Sequence, residues 1–238
     1  MQQRLPSLHV PPIGFAHRGA RAHAQENTIE AFVLGLRLGA TGLESDVWLT
    51  RDGIPVLDHD GVVRQGIRKK SINSIDRDDL PGHIPSLVDL LVQCGTSYHL
   101  SLDLKDDECG AAVIDEVRRT DPSMLPRLWL CHPDWRVVAA LRPLSSEVKL
   151  VDSTRLNRIK EGPERRAALL AENGIDCINM HHSDWSGGLT TLFHRFERYV
   201  LAWDLQQVNA LTKLIRMGVD GVFSDWTDRM MEAIAAES

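Results

Sequence analysis

Short apolar runs alternate along this chain with stretches in which apolar residues recur every three or four positions, and the alternation repeats roughly eight times. Ile13 to His17 (IGFAH), after Pro11-Pro12, reads as a first strand ending at His17-Arg18-Gly19. Asn27 with Glu30 fits a capping box, and Ile29, Phe32, Val33 and Leu36 supply the stripe of a first helix. Gly42 to Trp48 is the second strand; Thr50-Arg51-Asp52-Gly53 makes a tight turn, and Ile54 to Leu57 returns. Arg64 to Gly82 is polar and reads as a surface loop with a short turn or two, before Pro85-Ser86 begins a helix through Leu87, Leu90 and Leu91. Tyr98 to Lys105 alternates plainly, with Leu100, Leu102 and Leu104 on one face and Ser101, Asp103 and Lys105 on the other.

The same rhythm continues to the end. Helices are expected at Ala111 to Arg119, Trp135 to Leu141, Pro163 to Asn173, Leu189 to Phe196, Val208 to Met217 and Thr227 to Ala236. Strands are expected at Arg127 to Cys131, Val148 to Val151, Ile175 to Met180, Tyr199 to Trp203 and Gly221 to Ser224. Strand followed by helix, eight times over, predicts an α/β protein of the (β/α)8 TIM-barrel class. An open doubly wound sheet fits the same elements. The barrel is preferred because its site is assembled from the C-terminal ends of several strands. Polar residues fall there: His17 after strand one, Glu44 and Asp46 on strand two, Asp103 and Lys105 on strand three. No GxGxxG or GxxxxGK[ST] follows a strand, which argues against a dinucleotide or P-loop site.

Length and composition narrow the picture. The 238 residues show no Gly/Ser/Pro-rich linker, so one domain is expected over 1–238, its barrel core spanning about 13–236, without a large insertion. Against 27 basic residues stand 33 acidic ones, for a net charge of −6, which disfavours a nucleic-acid partner or an anionic-membrane surface. The N-terminus MQQRLPSLHVPP lacks an apolar core, and no run reaches transmembrane length, so a cytoplasmic protein without stable membrane insertion is expected. Cys94, Cys109, Cys131 and Cys177 are scattered without CxxC spacing and read as reduced thiols.

The stretch Gly42 to Asp60 (GLESDVWLTRDGIPVLDHD) concentrates the candidate chemistry. Residues two apart on a strand share a face, so Glu44 and Asp46 lie together, opposite Leu43, Val47 and Leu49. Adjacent carboxylates repel, and a chain keeps them cheaply on a wet face or around a cation. The hairpin brings Asp58-His59-Asp60 back toward them. His181-His182 invites a metal site after strand six, but neighbours on a strand point oppositely, so at most one faces the mouth. Asp225 reads as a cap for the last helix.

These residues resemble the glycerophosphodiester phosphodiesterase family. The resemblance rests on His17-Arg18-Gly19, Glu26-Asn27-Thr28, Glu44-Ser45-Asp46, Thr50-Arg51-Asp52-Gly53, His59-Asp60 and Asp103-Leu104-Lys105. Trp203 near a strand end, and Gly218-Val219-Asp220-Gly221 leading to Ser224-Asp225, extend it to strand eight. It is most specific in about the first hundred residues. The chain departs from the family pattern at Asp103, where Glu is usual, at Gln25, where Pro often precedes ENT, and at Trp203-Asp204-Leu205-Gln206 in place of Trp-Thr-Val-Asn. Between Asp60 and Pro85 there is little room for the small domain that larger members insert.

The resemblance implies metal-dependent hydrolysis of a small glycerophosphodiester to glycerol 3-phosphate and an alcohol. Glu44, Asp46 and Asp103 would hold one divalent cation, Mg²⁺ or Ca²⁺, for which their oxygens are suited. His17 and His59 would be the acid–base pair. Arg18 and Lys105 would sit on the phosphate, Glu26 near the site, and Trp203, with Phe223, along the glycerol. A sphingomyelinase-D-like lyase on lysophospholipids, giving a cyclic phosphate, is a second reading. It would favour a secreted chain with a disulfide-tied loop, and neither feature is found. The third is a catalytically impaired phosphate-binding barrel, against which stand both histidines, the three acids and Lys105.

Overall fold

A computed structural model of the chain describes residues 4–65 and 68–237. Its elements in chain order are β1 (Ile13–Ala16), α1 (Ile29–Arg37), β2 (Gly42–Leu49), β3 (Pro55–Leu57), β4 (Val62–Gln65), β5 (Arg68–Ser71), α2 (Leu87–Cys94) and β6 (His99–Leu104). There follow α3 (Cys109–Thr120), β7 (Leu128–His132), α4 (Trp135–Ala139), β8 (Lys149–Thr154), α5 (Pro163–Glu172), β9 (Cys177–His181) and α6 (Gly187–Arg195). The chain closes with β10 (Tyr199–Trp203), α7 (Val208–Arg216), β11 (Gly221–Ser224) and α8 (Thr227–Glu237).

Eight of these strands run parallel in the order β1-β2-β6-β7-β8-β9-β10-β11, and β11 pairs back onto β1. The sheet is therefore closed: a (β/α)8 TIM barrel, as the alternation predicts. β3 lies antiparallel along the protruding end of β2, with Val47 opposite Leu57 and Leu49 opposite Pro55.

Strand alternation sorts the side chains into two cores. One set faces outward onto the helices, including Leu43, Val47, Leu100, Leu102, Leu104 and Val222. The other fills the barrel lumen: Ile13, Phe15, Trp129, Cys131, Val151, Cys177, Leu201 and Phe223. The Phe15 and Phe223 rings stack at 4.5 Å in the lumen. Gly42 makes room for them, since a Cβ there would lie 2.5 Å from Phe15 Cδ1. The helices lean on their own local signals. Ser86 and Asp89 form a reciprocal capping box at α2, and Leu211, Leu214 and Ile215 are the buried stripe of α7.

Three local readings are corrected. The cap of α1 is Thr28, whose hydroxyl accepts from the Ala31 N–H, while Asn27 is buried with φ 55° and accepts instead from the Ser45 hydroxyl at 2.8 Å. The polar stretch after Arg64 is more ordered than a loop. β4 and β5 form a hairpin, and Val63, Ile72, Ile75, Leu80 and Ile84 build a satellite cluster on Val56. Those apolar residues follow no single period, so no pattern announces them. α4 stops at Ala139, ahead of Pro143, whose ring disfavours helix in the residues before it.

Cys94, Cys109, Cys131 and Cys177 are free thiols, the last three buried. Among the described residues no helix is long and apolar enough to cross a membrane.

Candidate active site

Barrel register assembles the site. Ala16 pairs with Leu43 on one side and Ser224 on the other. One step further along each strand stand His17, Glu44 and Asp225. The result is a His17 ring held at Nδ1 and facing an acid with Nε2. Nδ1 lies 2.6 Å from Asp225 Oδ1, and Nε2 lies 3.7 Å from Glu44 Oε2. Two residues along β2, Asp46 pairs directly with Asp103 of β6. Lys105, leaving β6 on the same face, places Nζ 2.7 Å from Asp46 Oδ1 and 3.7 Å from Asp103 Oδ2.

Arg18 ties the loop after β1 to this group. Its backbone adopts φ 52°, an uncommon conformation for a residue with a side chain, and its N–H donates to Glu44 Oε2 at 2.9 Å. Its Nε lies 3.3 Å from Asp46 Oδ2, and Nη1 donates to Glu26 at 3.1 Å. Glu26 sits behind the site, bridging Arg18 and Arg21, and borders a smaller recess of about 140 Å³ beside His59.

His59 arrives on the hairpin. The Asp58 N–H donates to the Asp46 carbonyl at 3.1 Å, and the Gly61 N–H donates to Asp58 Oδ2 at 2.7 Å, so the segment is fastened on both sides of the imidazole. His59 Nδ1 pairs with Asp60 Oδ1 at 2.8 Å. His17, His59, Glu44, Asp46, Asp103, Arg18, Lys105 and Trp203 all line one cavity of about 450 Å³ at the C-terminal mouth of the barrel. Of the catalytic, metal and substrate residues that the resemblance implies, Glu26 alone lies outside that lining.

Electrostatics at the mouth are frustrated. Burial pushes the Glu44 carboxyl up to about 7; the His17 charge opposes this, while Asp46 and Asp103 reinforce it. Asp103 is raised as well, by burial first and Asp46 second, against the pull of Lys105. For His17, burial works against the imidazolium, but Glu44 and the Asp225 hydrogen bond outweigh it and leave the ring above its usual value. Asp225 responds in kind: burial would raise it, and its bond to His17 holds it low. Lys105 is desolvated too, yet Asp103 and Asp46 keep it firmly charged.

Glu44, Asp46 and Asp103 each bring an oxygen within 4.8 Å of the others. Asp46 Oδ2 is buried without a hydrogen bond. A carboxylate oxygen that faces the Arg18 guanidinium at 3.3 Å without an aligned hydrogen bond, beside two acids pushed toward protonation, gives a donor set that fits a hard divalent ion. His181, His182 and Asp204 form a second group with the same spacing. As expected, no more than one faces the mouth, and in fact neither lines the cavity; the rings do not point oppositely, because His181 ends β9 and His182 opens a turn, and they lie side by side at 4.3 Å.

Comparison with known proteins now bears on the chain. The profile of the Glycerophosphoryl diester phosphodiesterase family matches residues 17–102, the span that carries His17, Glu44, Asp46 and His59. Over that span the chain is similar to that family. Among its relatives is a Mycobacterium tuberculosis protein named Probable glycerophosphodiester phosphodiesterase 2, 25% identical over 96% of this chain and 92% of that one. A Bacillus altitudinis glycerophosphodiester phosphodiesterase is 22% identical over 92% of this chain and 96% of its own length. An Oleispira antarctica phosphodiesterase, solved in complex with the product sn-glycerol-3-phosphate, shares the fold with a TM-score of 0.78 and 22% identity, covering 94% of this chain and 97% of that one.

Within this barrel, the side chain that sequence reasoning misplaced is Asp225. Its carboxylate holds His17. Closure of the barrel was the available signal, because an acid just after the last strand must stand beside the residue just after the first. The far wall of the cavity, formed by Ser153, Arg155, Arg158, Asn179 and Gln206, was also missed. It carries no motif, only inward positions on β8 and β9 and in the loops after β8 and β10.

Proposed function

We propose that this phosphodiesterase-family barrel hydrolyses glycerophosphodiesters to glycerol 3-phosphate and an alcohol, with one divalent cation on Glu44, Asp46 and Asp103 and with His17 and His59 as the acid–base pair. The observation that carries the reading is the arrangement of His17. Its Nδ1 is fixed on Asp225, and its Nε2 is turned to Glu44 in the cavity that also holds His59 and the three acids. The names of the relatives, and the product found with the Oleispira antarctica phosphodiesterase, support the substrate class.

A phosphodiester is a resistant, anionic electrophile. Its hydrolysis needs charge on the non-bridging oxygens neutralised, the nucleophile deprotonated and the leaving oxygen protonated. Bound Mg²⁺ or Ca²⁺ would supply Lewis-acid stabilisation of those oxygens. Arg18 and Lys105 add positive charge on the same side of the cavity. Asp225 fixes the orientation of His17 and favours the tautomer with the proton on Nδ1, which leaves Nε2 free to take or give a proton at the reacting centre. One imidazole accepts the proton of the nucleophile, and the other delivers a proton to the departing alcohol.

Phosphorus NMR of the products from glycerophosphoglycerol tests the reading. Glycerol 3-phosphate as the sole phosphorus product is expected. Accumulation of a cyclic phosphate without later hydrolysis would assign the site to a lyase, and no turnover of any glycerophosphodiester would overturn the assignment.

A further inference from the structure

The wall facing the acids has a chemistry of its own. Round the barrel, β9 lies four strands from β2 in either direction, so Asn179 stands across the mouth from Glu44 and Asp46. A diester whose phosphate meets Arg18 and Lys105, on the side of the acids of β2 and β6, would project one of its two alcohols toward β8 and β9. There the strands present Ser153 and Asn179 at inward positions, one layer above Val151 and Cys177 of the lumen core.

Asn179 is 5% exposed, and its Oδ1 has no hydrogen-bond partner. Its Nδ2 makes a single long contact of 3.4 Å to the Ser153 hydroxyl. A buried amide with an idle end costs free energy unless something meets it. Asn179 lines the cavity, so a bound molecule can supply the partner. That partner must offer an O–H or N–H donor. On the same wall Arg155 is pinned by Asp184, with contacts of 2.6 and 3.2 Å, and its guanidinium lies 5.7 Å over the Trp203 ring. The aromatic face that would attract a quaternary ammonium is thus already opposite a cation.

We propose that Asn179 and Ser153 form the head-group subsite and read a free hydroxyl on the departing alcohol, so that polyol diesters are taken in preference to choline diesters. The inference rests on the proposed phosphodiesterase activity and goes on to name its substrate class. Glycerol and inositol keep free hydroxyls when esterified to phosphate. Choline keeps none, and its trimethylammonium would meet Arg155.

The test is the ratio of kcat/KM for glycerophosphoglycerol or glycerophosphoinositol over that for glycerophosphocholine, measured by glycerol 3-phosphate release. In the parent protein the ratio is expected to be about tenfold or more, as befits a site built to bond a substrate hydroxyl. In Asn179→Leu, with Ser153→Ala as a second variant should the first not fold, it should fall toward one. Arg155→Gln should raise glycerophosphocholine turnover. A parent that cleaves all three diesters equally would overturn the subsite while leaving the activity standing. A uniform fall across all three in the variants would move Asn179 to the shared glycerol half and also overturn it. A parent inactive on all three would end the phosphodiesterase reading itself.

Discussion

At the base of β6, His99 is packed among rings, with Trp129 at 6.0 Å, Phe15 at 6.5 Å and His9 at 5.3 Å, and it accepts a hydrogen bond from Trp129 Nε1 at 3.1 Å. Four residues on, at the other end of the same strand face, Asp103 stands beside Asp46 in the open mouth. Burial drives both groups toward neutrality. The His99 ring is pushed down to about 4, and its neutral form accepts the Trp129 bond without strain. Asp103 is pushed up, and with Asp46 and Glu44 beside it forms a crowd of acids in which Asp46 Oδ2 makes no hydrogen bond. The His99 ring is satisfied by its neighbours, whereas the acids at the mouth repel one another and suit a cation from outside the chain. That contrast separates residues kept for folding from residues kept for chemistry.

Substitutions at each end should separate the two. The largest effect is expected at the base. Phe15→Ala removes a fully buried ring stacked on Phe223 and should cost roughly 3–5 kcal/mol in denaturant unfolding. The molecules that remain folded should keep turnover within a few-fold. At the mouth the pattern should invert. His17→Ala or His59→Ala should lower turnover by about two orders of magnitude or more, with little change in melting temperature. Near-normal rates in both would break the acid–base assignment.

A smaller effect sharpens the role of Asp225. Asp225→Asn keeps the shape but removes the charge that helps to hold His17 above its ordinary pKa. Turnover should fall about tenfold. The limb of the pH–rate profile that reports His17 should move to lower pH, because the imidazolium loses a stabilising carboxylate. An unshifted limb would leave Asp225 a merely structural neighbour.

The smallest expected effect is at His99. Its folded pKa lies below its unfolded value, so between pH 4 and 6.5 the unfolded chain binds the extra proton. Stability from this group is complete above 6.5 and is lost as pH falls toward 4. His99→Gln keeps an acceptor for Trp129 and should flatten that part of the stability–pH curve. An unchanged curve would show that His99 does not titrate as its packing implies.

The two ends also differed in how legible they were. Strand alternation disclosed the inward acids Glu44, Asp46 and Asp103, because a period of two says which face a residue takes. Tyr199–Trp203 and Gly221–Ser224 fall where the apolar runs place them. What alternation does not carry is adjacency between strands distant in sequence. Asp225 belongs to His17 only because β11 pairs with β1, 208 residues away. The same limit hid Asn179, an unremarkable residue until β9 is placed opposite β2. For His181 and His182 only the relative orientation differs, because the strand ends at His181 and alternation does not reach His182.

The most direct test of the central claim, that the acids at the mouth act through a divalent cation, is glycerol 3-phosphate release by protein stripped with EDTA and then titrated with Mg²⁺ or Ca²⁺. The account predicts no release after stripping and recovery on adding either or both ions. Recovery should need less metal as pH rises toward and past 7, because Glu44 must shed its proton before its oxygen can bind. Full activity in excess chelator would contradict it.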